Sequence, residues 1–113
     1  MGWPRRHKFG AVRTETGGVS YASKHEAKVA QDLQFTLQAN QIKAFARQIP
    51  ITLEAYGVKI CTYLIDFKVI HNNGTVEYIE AKGYETPEWK LKWKMFVAKM
   101  AIEEPNVILT VKK

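Results

Sequence analysis

Residues 63–82 read YLIDFKVIHNNGTVEYIEAK. Two runs of aromatic and β-branched residues flank Asn72-Asn73-Gly74, which is the pattern of a β-hairpin. Strands disfavour acids and lysine, yet Glu80 and Lys82 stand in the second arm and Asp66 in the first. Glu80 and Lys82 are two apart, so both leave the same face of a strand.

The turn decides whether Asp66 joins them. A two-residue turn at Asn73-Gly74 pairs Asn72 with Thr75, setting Asp66 against Ala81 and Ile65 against Lys82. A three-residue loop pairs His71 with Thr75 and brings Asp66 opposite Glu80, Phe67 opposite Ile79 and Ile65 opposite Ala81. A slip of one residue exchanges the two faces of a strand. Only the second register gives one consistent apolar face, and Gly74 suits the left-handed position of a type I turn plus bulge. The three-residue loop is therefore expected.

Working outward, Ser23 to Asn40 reads as a helix. Ser23 and Glu26 form a capping-box pattern, and Ala27, Val29, Ala30, Leu33 and Leu37 follow helical spacing. Ile49 to Ala55 reads as a strand, restricted by Pro50 to an edge or to its first turn. The hairpin arms run from Ile60 to Ile70 and from Thr75 to Lys82. A second helix is expected from Pro87 to Ile102, with Pro at its start, and a last strand from Asn106 to Val111. The order is α-β-β-β-α-β, an α/β domain over 23–113. Residues 1–22 read as a basic arm carrying Arg5, Arg6, Lys8 and Arg13. A frayed terminus and an arm that orders on nucleic acid both fit it.

The 113 residues suffice for one domain and leave no room for a separate specificity domain. The formal charge is +6, from 17 Lys and Arg against 11 Asp and Glu, which suits a polyanionic partner. Cys61 is the only cysteine, so no internal disulfide is expected, and an intracellular, cytoplasmic setting fits. The N-terminus lacks the apolar run of a signal peptide. No run of 18 apolar residues occurs, so no membrane span is expected.

Asp66, Glu80 and Lys82 cluster in the expected register. Two carboxylates forced together repel and raise a pKa. A divalent cation removes that penalty, and Mg²⁺ takes one or two carboxylates plus water and phosphate oxygens. Lys82 would favour deprotonation of a nearby water or stabilise charge on a phosphate. Ala81, being small, leaves its backbone carbonyl in reach as a further oxygen ligand. The plainer alternative is a cross-strand salt bridge, worth ~0–1 kcal/mol if exposed.

Asp66, a hairpin, then Glu80-Ala81-Lys82, within an α-β-β-β-α-β order, resembles the PD-(D/E)XK nuclease superfamily. More closely, it is similar to small phage-encoded nucleases akin to the archaeal-type Holliday-junction resolvases. The resemblance covers about Ser23 to Val111. It implies a restriction-endonuclease-like core, a mixed central sheet flanked by helices. It also implies a Mg²⁺- or Mn²⁺-dependent endonuclease, with Asp66 and Glu80 as metal ligands and Lys82 acting on the attacking water. Glu26 is the counterpart of an acid that the family often adds from the first helix, although its capping-box place explains it equally well. Ile65 stands where the family often has Pro. Gln48 sits near a polar residue that touches the site in some relatives; a polar loop residue is the other reading. A homodimer on branched DNA, as for resolution of a four-way junction, is likewise implied by the resemblance.

The second helix, PEWKLKWKMFVAKMAI, places Trp89, Trp93, Phe96, Val97 and Met100 along one apolar stripe. Lys90, Lys92, Lys94 and Lys99 add four positive charges, with no acid between Trp89 and Lys99. They read as a solvated face with snorkelling stems or as contacts to backbone phosphates. Lys90 and Lys94 share a face and, with Lys24, are the expected nucleic-acid contacts outside the arm. His7, His25 and His71 show no zinc-like spacing. Tyr84 would either stack near the site or close the core. The rival functions are a nuclease of flaps, single strands or RNA, and a non-catalytic basic nucleic-acid-binding module.

Overall fold

The computed structural model describes residues 14–16, 19–21 and 23–113. A short hairpin, β1 (Thr14–Thr16) and β2 (Val19–Tyr21), precedes helix α1 (Lys24–Gln38). Three strands follow: β3 (Ile42–Ala55), β4 (Val58–His71) and β5 (Val76–Ala81). Helix α2 (Pro87–Glu103) then leads to β6 (Ile108–Lys112). The main sheet has the order β3-β4-β5-β6, antiparallel at its first two pairings and parallel at β5-β6. The chain is thus an α/β fold with a four-stranded mixed sheet flanked by two helices.

The hairpin takes the expected register. Phe67 pairs with Ile79 and Ile70 with Val76. The His71 N–H donates to the Thr75 carbonyl at 2.8 Å, and the Gly74 N–H to His71 at 2.9 Å. Gly74 has φ +90°, a conformation that costs a side-chain-bearing residue about 1–2 kcal/mol. One further pair in this register would set Asp66 opposite Glu80.

Two expected pairs, Asp66–Glu80 and Ile65–Ala81, do not form as ladder partners. The β4–β5 ladder runs from Ile70–Val76 only as far as Phe67–Ile79. Beyond it the Ala81 N–H donates to the Asp66 side chain, at 2.9 Å. From there β4 stays with β3, pairing Ile65 with Ile49, while β5 stays with β6, pairing Ala81 with Lys112. The two strands part, so Ile65 and Ala81 enter different cores.

Those cores occupy the two faces of the sheet. On α1, Ala27, Val29, Ala30 and Leu33 pack against Phe67, Val69, Ile79 and Ala81. On α2, Trp89, Phe96 and Met100 pack against Leu53, Tyr63, Ile65 and Tyr78. Tyr63, Ile65, Phe67 and Val69 share one face of β4 by period two, yet the first two serve α2 and the last two α1. The change falls at Asp66. Its facing position on β3 is Gln48, between the Arg47–Phe67 and Ile49–Ile65 pairs. Gln48 has φ +55°, which breaks the extended run without inserting a residue, at a cost of order 1–3 kcal/mol.

Other boundaries differ in instructive ways. β3 begins at Ile42, seven residues ahead of the expected Ile49. Ala, Lys, Arg and Gln over 43–48 carry no strand propensity, and pairing with β4 overrides them. Pro50 lies within this strand, which sits at the sheet edge where proline is tolerated. Val97 is 38% exposed and lies off the α2 stripe, which is completed by half-buried Met95. α1 ends before Asn40, whose φ of +57° suits a helix stop. Part of the stretch read as an arm forms the β1–β2 hairpin, with Thr14 facing Tyr21. Arg5, Arg6, Lys8 and Arg13 lie outside the described residues. Among the described residues, no helix is long and apolar enough to cross a membrane.

Candidate functional site

The site forms where β4 and β5 part. Asp66 is the residue at which β4 leaves the ladder, and its carboxylate takes the place of a backbone acceptor for Ala81. Glu80 is 1% exposed and lies beside the Asp66 carboxyl, whose proton affinity it raises. Burial pushes the Asp66 carboxyl up to about 8, with Glu80 adding to the rise; the Ala81 N–H and Lys82 oppose it. Asp66 therefore keeps a proton near neutral pH in the absence of another cation.

Glu80 is held from its other side. Tyr63 Oη donates to Glu80 Oε1, and Trp89 Nε1 approaches the same oxygen at 3.4 Å. Burial, followed by Glu80, pushes the Tyr63 phenol well above its ordinary value, so it acts as a donor. Lys82 Nζ lies 5.5 Å from the centroid of the Trp89 ring, within cation–π range. Glu80 and Lys82 thus both approach one indole.

Aromatic packing fixes that indole. Thr86 caps α2, accepting the Trp89 N–H at 3.1 Å, and Pro87 occupies the first turn. The Trp89 ring stacks on Trp93 at 5.7 Å between centroids. Trp93 in turn meets Phe96 at 5.6 Å, and Tyr63 meets Phe96 edge-on at 6.0 Å. Phe96 is fully buried beneath the group.

The family model described as "Protein of unknown function (DUF1064)" matches residues 6–112. The chain belongs to the DUF1064 family. Neither the curated proteins nor the solved structures yield a match. The matched span of this DUF1064 chain includes every residue of the site, from Glu26 to Lys82.

Glu26 takes a neighbouring position. It is 4% exposed. Its carboxylate accepts Gln48 Nε2 at 3.0 Å and lies 3.7 Å from Arg47 Nη2. Ser23 Oγ accepts the Glu26 N–H at 3.1 Å, so the helix cap is present as well. Gln48, read more plainly as a loop residue, is a β3 residue that joins Glu26 to the strand position facing Asp66. Among the described residues, no group of three or more His, Cys, Asp or Glu side chains is arranged to hold a metal. Asp66 and Glu80 supply two carboxylates, which is within the range Mg²⁺ accepts when other oxygens complete its shell. A buried Glu80 carboxyl beside a half-buried Asp66 suits a cation in place of the Asp66 proton, and the Ala81 carbonyl lies on the backbone between Glu80 and Lys82.

Lys24, Lys90 and Lys94 are exposed. Lys92 and Lys99 instead lie 3.6 and 2.9 Å from Glu88 and Glu103 one turn away. Tyr84 is 80% exposed and does not close the core. His25 Nε2 bonds the Lys112 carbonyl, tying the start of α1 to β6. His71 pairs with Glu77 at 2.8 Å. Sequence reasoning assigned Trp89 to the core and passed over Tyr63. Each is buried, as an aromatic residue in an apolar run should be, and its polar atom is revealed only by what faces it.

Proposed function

We propose that this chain is a divalent-metal-dependent endonuclease that hydrolyses phosphodiester bonds in branched DNA. The observation that carries the reading is the convergence of Asp66, Glu80 and Lys82 where β4 and β5 separate. The mixed sheet with a helix on each face accords with a restriction-endonuclease-like core.

Asp66 and Glu80 would hold Mg²⁺ or Mn²⁺, with the Ala81 carbonyl as a further oxygen ligand and Glu26 adjoining through Gln48. The ion would supply Lewis acidity at a phosphate oxygen and lower the pKa of an attacking water. The chain's own residues do the rest. Lys82 holds a positive charge beside the carboxyl pair, where it orients the water and offsets charge developing on the phosphate. Lys24, Lys90 and Lys94 give backbone contacts that position the nucleic acid without reading its sequence. A twofold dimer would present two sites to a four-way junction.

The test is a Mg²⁺-dependent nicking assay on a panel of junction, flap, duplex, single-stranded DNA and RNA. The junction should be cut fastest. Lys82→Ala should slow cutting by about 10²–10³-fold with binding retained. Cutting of other substrates first would replace the junction by a flap, single-strand or RNA target. Tight binding with no metal-dependent cutting of any substrate would leave a non-catalytic nucleic-acid-binding module.

A further inference from the structure

We propose that Trp89 and Tyr63 are positioning residues: together they hold Glu80 and Lys82 in the geometry that a bound divalent ion and a phosphate require. The inference rests on the nuclease reading and assigns it two residues from the aromatic core.

Both donors meet one oxygen, Glu80 Oε1. That restrains the carboxylate's rotation and leaves Oε2 outside both hydrogen bonds. Tyr63 and Trp89 come from different elements, β4 and α2, so Glu80 is braced from two directions. A buried phenol and indole need acceptors, and a buried carboxylate needs donors. Each requirement answers the other. Trp89 has a second task, because its ring also carries Lys82 Nζ at 5.5 Å. Turning the indole would disturb the acid and the base together. The stack onto Trp93 and the Thr86 cap oppose such a turn. Outer groups of this kind orient metal ligands, and their loss costs roughly 10–100-fold in metal affinity or activity.

The test uses Tyr63→Phe and Trp89→Phe, singly and combined. Tyr63→Phe keeps the ring and removes only the hydroxyl donor; Trp89→Phe keeps an aromatic ring but removes the indole N–H from Glu80 and shortens the ring beneath Lys82. Tyr78→Phe is the control, since Tyr78 lies in the same aromatic cluster, 5.3 Å from Phe96. Mn²⁺ affinity is measured by calorimetry, kcat and KM by nicking, and Tm by calorimetric scanning. The double variant should bind Mn²⁺ about 10–100-fold more weakly and lose kcat by a similar factor, with KM for DNA unchanged. Tyr78→Phe should change neither.

In the wild-type protein, the Trp89 indole N–H resonance should shift on Glu80→Gln, which reads the contact without relying on the Phe variants. Wild-type Mn²⁺ affinity in the double variant, or an unmoved indole resonance, overturns the positioning role. The two failures are distinguishable. If the wild type binds no Mn²⁺, or binds it equally in Asp66→Asn, the nuclease reading fails and takes this role with it. If Mn²⁺ binding depends on Asp66 but not on the two donors, only the positioning role fails.

Discussion

Two carboxyls held together away from bulk water cost free energy unless a proton or a cation offsets their charge. In the metal-free chain, Asp66 meets this with a raised affinity for protons, caused first by burial and next by Glu80. Its ordinary value is 3.8 and its folded value about 8. Between those pH values the folded chain holds a proton that the unfolded chain has lost. Stability of the metal-free protein should therefore fall as pH rises from about 4 to about 8. A Tm series across that range checks it. Asp66→Asn should flatten the fall, and an unchanged slope would show that Asp66 is not the titrating group. The three charges themselves were legible in the sequence, because hairpin periodicity places them. Tyr63 and Trp89 were not. Nothing in their spacing distinguishes a core aromatic that fills space from one that also braces a carboxylate.

At the scale of the element, the hairpin turn sets the register that brings Asp66 to Glu80. Gly74, at φ +90°, is its pivot. Gly74→Ala meets no steric obstacle, since nothing lies within 4 Å of the added methyl, so its cost is conformational alone. The substitution should lower stability by about 1–2 kcal/mol and Tm by several degrees, read by thermal unfolding. An unchanged Tm would contradict the left-handed assignment. This register could be read in advance because one alternative mismatched the apolar faces. The parting of β4 and β5 could not. Ile65 and Phe67 look alike in sequence, yet a non-glycine left-handed residue, Gln48, marks where they are sent to opposite cores. Local propensity disfavours that conformation, so only the assembled sheet reveals it. The early start of β3 escaped for a related reason, since pairing with β4 outweighs weak strand formers.

Across the whole molecule, the net charge of +6 suits the proposed nucleic-acid partner, and its lysines differ in exposure. On α2, Lys92 and Lys99 are near acids one turn away, whereas Lys90 and Lys94 are exposed toward solvent. If the latter two contact phosphates, Lys90→Gln with Lys94→Gln should weaken binding to all DNA sequences alike. The slope of log affinity against log salt should drop by about 2, roughly 0.9 for each contact. Unchanged affinity and slope would make these lysines a solvated face only. The α/β class, the element order and the two helices were legible from periodicity and from the helix-start residues Ser23 and Pro87. The β1–β2 hairpin was not, because three-residue strands carry no readable period.

The central claim is that Asp66 and Glu80 together hold a divalent ion. Its most direct measurement is an anomalous difference map, at the manganese edge, from crystals soaked in Mn²⁺. The account predicts one strong peak about 2.1 Å from a carboxylate oxygen of each residue, lost in Asp66→Asn. A map with no peak beside these two carboxyls would contradict it.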